Sequence, residues 1–264
     1  MDLLEKIQIL KNHFNVKNYK RVIDGATKLL KKSPKNVYLL NLTGMSYQGL
    51  SQHNNSIKLF KEALKYRPNN TALLNNYANS IKAIGKLELS QELYEKTIKL
   101  DPGYINAYNN YANLKTLVND YQGAIKLYSK ALELLKSKPN PPKNSVVGIL
   151  FSLAVAYQSD NKIEETKKII KEIFLIDPFH VGANKLITSI KKYSKDDQES
   201  MEHIKKMEEL NNKIDIKDYE NKVDMSYALG KSYEDLKEFK KAFYYLNIAN
   251  ELKFNEKGSN LEAE

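Results

Sequence analysis

Cysteine is absent from the 264-residue chain. That excludes disulfides, thiolate metal sites and cysteine nucleophiles together. It fits a reducing compartment, and a cytoplasmic location is the expectation. Glycine is sparse, at 10 residues. No apolar run approaches the roughly 18 residues needed to span a membrane, so no membrane partner is expected. The opening segment MDLLEKIQIL lacks the basic flank and unbroken apolar stretch of a secretory leader. Hydrophobic residues make up 42% and charged residues 28%, which is enough apolar surface to fold. With so little glycine and long segments of helical periodicity, an all-α fold follows.

Catalytic signatures are also missing. The four histidines His13, His53, His180 and His203 have no HExxH or HxxxH spacing. Without cysteine, no zinc site is expected. No serine lies in a GxSxG turn. Leu229-Gly230-Lys231-Ser232 imitates the end of a phosphate-binding loop, but that loop needs a glycine where Met225 stands and a strand before it. Carboxylate pairs such as Glu164-Glu165 and Asp196-Asp197 sit at helix starts, where acids complement the dipole. No enzyme activity and no cofactor are expected. The net charge is +10. Its lysines are scattered over solvated faces, as in Lys58, Lys61 and Lys65 or Lys167, Lys168 and Lys171, so nucleic acid is not the expected partner.

What is present is a repeat. Asn75-Asn76-Tyr77-Ala78-Asn79 returns as Asn109-Asn110-Tyr111-Ala112-Asn113, 34 residues later. A self-match at that period marks stacked helical hairpins, each packing only on its neighbours. Counting each unit so that its closing proline falls at position 32 puts Pro34, Pro68 and Pro102 in phase. Small residues then occupy position 8, at Gly44, Ala78, Ala112 and Ala154. Position 20 on the facing helix holds Ser56, Ser90, Ala124 and Thr166. Large residues fill the gaps beside them: Tyr47 and Tyr157 at position 11, and Phe60, Tyr94 and Tyr128 at position 24. Position 27 is small again, at Ala63, Thr97 and Ala131. This is ridge-and-groove packing written along a sequence.

These residues resemble the tetratricopeptide repeat. The unit at 37–70 carries Leu40, Gly44, Tyr47, Phe60, Ala63 and Pro68 at the family's spacings. The resemblance implies a right-handed superhelical solenoid of six to seven antiparallel helix hairpins over residues 1–254. A degenerate first unit at 3–36 reads as a cap. A proline-rich stretch at 136–146 reads as a possible hinge, after which Leu150, Ala154, Tyr157 and Pro178 restore the phase. Units at 181–217 are irregular. There a first helix is expected at 181–193 and a second at 196–211, with Met201, Ile204, Met207 and Leu210 in a narrow stripe and a stop at Asn211-Asn212. The terminal hairpin at 218–254 restores the pattern with Leu229, Gly230, Tyr233, Phe239, Ala242 and Ala249, and 255–264 reads as a short polar tail. That hairpin also resembles the end of the repeat region in bacterial tetratricopeptide–sulfotransferase proteins.

One feature exceeds what packing asks. In such a stack the first helices line the concave groove, at positions 2, 5, 6, 9, 12 and 13. There stand Asn41, then Asn75, Asn76 and Asn79, then Asn106, Asn109, Asn110 and Asn113. Asparagine is a poor helix former, yet its amide offers donors and an acceptor together. A pair can grip a peptide backbone whatever its side chains. The run is similar to the asparagine ladder of the O-linked N-acetylglucosamine transferase repeats. Where a carboxylate clamp would place its cations stand Asn41, Met45, Asn76, Asn106 and Asn110. The expected function is therefore a non-catalytic scaffold binding an extended protein or peptide segment. The alternative is the substrate-presenting half of a sulfotransferase or glycosyltransferase. Oligomeric state is left open.

Overall fold

The computed structural model describes residues 2–261, with side chains as far as residue 255. Among those residues it contains fourteen α-helices and no strand, in two compact units, Met1–Pro139 and Asn140–Glu264. The first unit comprises α1 (Leu3–Asn15), α2 (Tyr19–Lys32), α3 (Val37–Gly49), α4 (His53–Tyr66), α5 (Thr71–Ala83), α6 (Leu87–Leu100), α7 (Ile105–Leu117) and α8 (Tyr121–Lys136). The second comprises α9 (Lys143–Ser159), α10 (Ile163–Ile176), α11 (Val181–Ile190), α12 (Gln198–Lys213), α13 (Tyr219–Asp235) and α14 (Phe239–Leu261). The boundary falls inside the proline-rich stretch at 136–146.

Helix starts follow from short polar side chains. Asp2 and Glu5 form a reciprocal capping box over α1. Asn36 and Asn70 accept from the amides of Leu39 and Leu73 at 3.1 and 3.0 Å. Pro34, Pro68, Pro102 and Pro178 each stand two residues beyond the end of a second helix. The turn inside each regular hairpin needs one left-handed residue, always at position 15: Lys17, Ser51, Gly85, Asn119, Asn161 and Lys237. Only one of the six is glycine, so the turns are not visible as a glycine repeat.

The small positions do what their spacing predicts. Ala78, Ala112, Ala154, Ser56, Ser90, Ala124 and Thr166 are fully buried where paired helices cross, as are Ala63, Thr97 and Ala131. Ser90 Oγ donates to the Ala78 carbonyl at 2.8 Å across one crossing. A Cβ added at Gly44 would lie 2.6 Å from the Phe60 ring, and one at Gly230 would lie 2.6 Å from Leu246. Gly230 is thus a helix-crossing residue of α13 and α14, beside buried Ala242. Tyr94 and Tyr128 are buried, whereas Tyr47 and Tyr157 are half-buried at the edge of the packing.

The irregular stretch differs from its expectation in detail. α11 stops at Ile190, and α12 begins at Gln198 and runs through Asn211-Asn212 to Lys213. Asn211 is buried rather than acting as a stop. Ile204 and Met207 are buried, but Met201 is 39% exposed, so the apolar stripe of α12 is shorter than its spacing suggests. The expected polar tail begins as helix, since α14 continues to Leu261; residues 262–264 lie outside the described residues.

Candidate partner-binding face

Within the first unit, α3, α5 and α7 pack on one another in succession, while α2, α4 and α6 each pack between the first helix of their own hairpin and that of the next. The first helices are therefore the crowded, inner side of this stack. Positions 2, 5, 6, 9, 12 and 13 of these three helices carry a single charged residue, Lys82. Burial holds the Lys82 ammonium below its usual range. The face is an amide surface, not an ionic one.

Four of the asparagines bind each other. Asn76 Nδ2 donates to Asn41 Oδ1 at 3.0 Å, and one repeat later Asn110 Nδ2 donates to Asn75 Oδ1 at 3.0 Å. Asn75 Nδ2 faces Asn76 Oδ1 at 3.4 Å. The result is one hydrogen-bonded line, Asn110 to Asn75 to Asn76 to Asn41, across three repeats. All its bonds point one way. The Asn41 end keeps N–H donors and the Asn110 end keeps an acceptor. Asn75 is only 3% exposed, and its amide is spent inside the line. Beside it, Gln48 Nε2 reaches the Asn76 carbonyl and Ser80 Oγ, each at 2.7 Å, and Ser80 meets Ser56 at 2.7 Å.

Two more asparagines serve the packing tyrosines. Tyr94 Oη donates to Asn79 Oδ1, and Tyr128 Oη to Asn113 Oδ1, each at 2.5 Å. In the preceding unit the same two positions are Phe60 and Met45, which need no such bond. Position 9 thus follows position 24: asparagine with tyrosine, methionine with phenylalanine. This pairing is legible in the sequence but only once the two positions are known to touch. It has a testable consequence. Asn79→Met alone strands a buried hydroxyl and is expected to cost about 1–3 kcal/mol. Combining it with Tyr94→Phe recreates the neighbouring unit's apolar pair, and urea unfolding should then recover at least half of the loss. Strictly additive losses would show that the two side chains are not coupled.

The remaining asparagines face outward. Asn106 is exposed and Asn109 is half-exposed. The eight asparagines therefore divide into an internal line, two tyrosine partners and an open edge on α7.

The other polar groups singled out by sequence have structural partners. His180 caps α11, its Nδ1 accepting from the Ala183 amide at 3.0 Å. Lys231 of the phosphate-loop imitation donates to the Lys191 carbonyl at 3.0 Å and pairs with Asp235. Sequence reading missed His203. It stacks on Tyr193 with ring centroids 5.8 Å apart, and its two nitrogens meet Tyr193 Oη at 2.6 Å and Asn184 Oδ1 at 2.8 Å. No local spacing marks it, because its partners are 10 and 19 residues away. Among the described residues no group of carboxylates and histidines is placed to hold a metal ion.

Residues 6–170 match the family described as Psidin, N-terminal TPR repeats region. No curated protein matches the sequence. Several solved structures share the architecture. The C-terminal part of a TPR repeat-containing protein from Cytophaga hutchinsonii superposes with a TM-score of 0.64 at 13% identity, over 93% of this chain and 94% of that one. A tetratricopeptide repeat protein from Parabacteroides merdae gives 0.59 at 15% identity, over 96% and 94%. YrrB, described as a TPR protein with an unusual peptide-binding site, gives 0.53 at 17% identity, over 73% and 91%. At these identities the likeness concerns the fold.

Proposed function

Because this chain belongs to the tetratricopeptide repeat family, we propose that it is a non-catalytic scaffold whose first unit grips an extended segment of a protein partner along α3, α5 and α7. The observation that carries this reading is the amide-rich face, with Lys82 its single charge, and its open edge at Asn106 and Asn109. An extended peptide presents one donor and one acceptor per residue. Side-chain amides satisfy both without regard to the ligand's side chains. In this reading the internal line has a positioning role. It holds Asn76 and Asn110 in one rotamer, so that little side-chain entropy is lost when a ligand arrives. The description of YrrB as a peptide binder supports the same reading by analogy of fold.

The test uses peptides selected from a displayed random library on the intact chain. Asn106→Ala/Asn109→Ala leaves the internal line and the tyrosine partners untouched and should weaken the selected peptides about tenfold, the worth of one lost hydrogen-bonded pair. N-methylation of a central peptide amide should do the same, measured by fluorescence anisotropy. Undiminished binding in both arms would move recognition off this face.

A further inference from the structure

The repeat fails at one connection. Each other hairpin turn carries a left-handed residue, and the link from α11 to α12 carries none among the described residues. The chain leaves α11 extended at Lys191, with φ −101° and ψ 139°. α13 holds it there. Lys231 donates to the Lys191 carbonyl at 3.0 Å, and Asp235 Oδ2 accepts from the Tyr193 amide at 3.1 Å. α12 then packs on α13. A cleft of about 700 Å³ opens between α10 and α12, bordered by Ile187 of α11. That volume is in the range of ligand sites.

We propose that this cleft binds an extended acidic peptide segment carrying one large apolar side chain. Charge complementarity is the first argument. Lys167 is paired with Glu164 at 2.8 Å, and Lys191 with Asp197 at 3.3 Å. No ion pair engages Lys168, Lys171 or Lys206 among the described residues, and all three line the cleft. Over the whole lining, Lys167, Lys168, Lys171, Lys191 and Lys206 stand against Glu164, Glu199 and Glu202, so the cleft carries a surplus of two positive charges, concentrated on α10, for an anionic chain to neutralise.

The apolar lining is the second argument. Ile170, Phe174 and Ile187 line the cleft beside the His203 ring. Both His203 nitrogens are committed to Tyr193 and Asn184, so the ring presents a flat, neutral face. Burial, with Lys191 and Lys206 adding to it, keeps that ring uncharged down to about pH 4. An apolar side chain set between carboxylates matches such a lining.

Spacing selects an extended chain. Lys167 and Lys168 precede Lys171 by one helical turn, about 5–6 Å along α10. Alternate side chains of an extended strand recur about 6.6 Å apart on one face, so two carboxylates at i and i+2 reach both lysine levels.

The experiment uses the full chain and a fluorescein-labelled decapeptide of alternating Glu and Ser around a central Phe. With a protein of net charge +10, acidic peptides bind weakly anywhere, so the location is what must be read. Lys168→Glu/Lys171→Glu is expected to weaken binding about tenfold or more. Lys58→Glu/Lys61→Glu on α4 makes the same change in net charge and should have a small effect. In NMR titration the His203 imidazole resonances should move and those of His13 should not. Equal losses in the two double variants would overturn the proposal, as would an unshifted His203. A glutamine version of the peptide that binds as well would also overturn it. So would complete displacement by inorganic phosphate at constant ionic strength, because that would mark a small-anion site.

Discussion

Acidification from pH 7 to pH 4 should destabilise the wild-type chain by about 2–4 kcal/mol more than a His203→Gln variant. The cause is the buried imidazole. Burial comes first, and Lys191 and Lys206 add to it, so the folded-state value falls to about 4. In the unfolded chain the same group titrates near 6.5. Between those values the unfolded state binds a proton that the folded state refuses. The stabilisation is thus complete above the unfolded value and is lost as pH falls through the window to about 4. Protonation would also reverse one of the site's own bonds, because Tyr193 Oη would have to accept where it now donates. Neutral His203 can accept from the Tyr193 hydroxyl and donate to Asn184 Oδ1; the imidazolium has only donors. Carboxylates elsewhere contribute to acid unfolding in both proteins and cancel in the difference. Urea unfolding by far-UV circular dichroism across the range measures it. Parallel pH curves for the two proteins would show that His203 titrates normally.

Gly44→Leu should cost about 1–3 kcal/mol by overpacking. A Cβ there would already be 2.6 Å from the Phe60 ring, which is fully buried at the α3–α4 crossing. The ring cannot withdraw, because Leu40, Leu73 and Tyr77 pack in the same cluster. Leucine adds three more carbons to the clash. The helices must separate or the ring must leave its rotamer. A compensating Phe60→Ala removes the obstacle, so the double variant should be more stable than the sum of the single losses predicts. A Gly44→Leu protein that melts like the wild type would mean that α3 and α4 do not cross at this residue.

The two predictions differ in how they can be reached. Gly44 was legible because position 8 repeats with a fixed period, and a small residue recurring opposite another small residue has one ready physical cause. His203 was not, since nothing within a helical turn distinguishes it. The same contrast divides the asparagines. Their placement on the first helices follows from the 34-residue period. Their partners do not. Asn75 and Asn109 occupy equivalent positions in consecutive repeats, yet Asn75 is buried in a line of amides and Asn109 is half-exposed. The difference lies in what the next first helix offers: Asn110 lies beside Asn75.

The sequence by itself determined the all-α repeat, its period, the crossings at Gly44, Ala78, Ala112, Ala154 and Gly230, and the absence of cysteine chemistry. These are properties of helical periodicity and side-chain size, which act over one or two turns and are written locally. Only the tertiary structure decided which amides are consumed by their neighbours. It also decided that α11 and α12 do not close as a hairpin, and that His203 sits neutral beside a lysine-lined cleft. Those outcomes depend on atoms from separate helices coming within about 3.5 Å, the reach of a hydrogen bond. That distance is set by how the helices stack, and no single repeat encodes it.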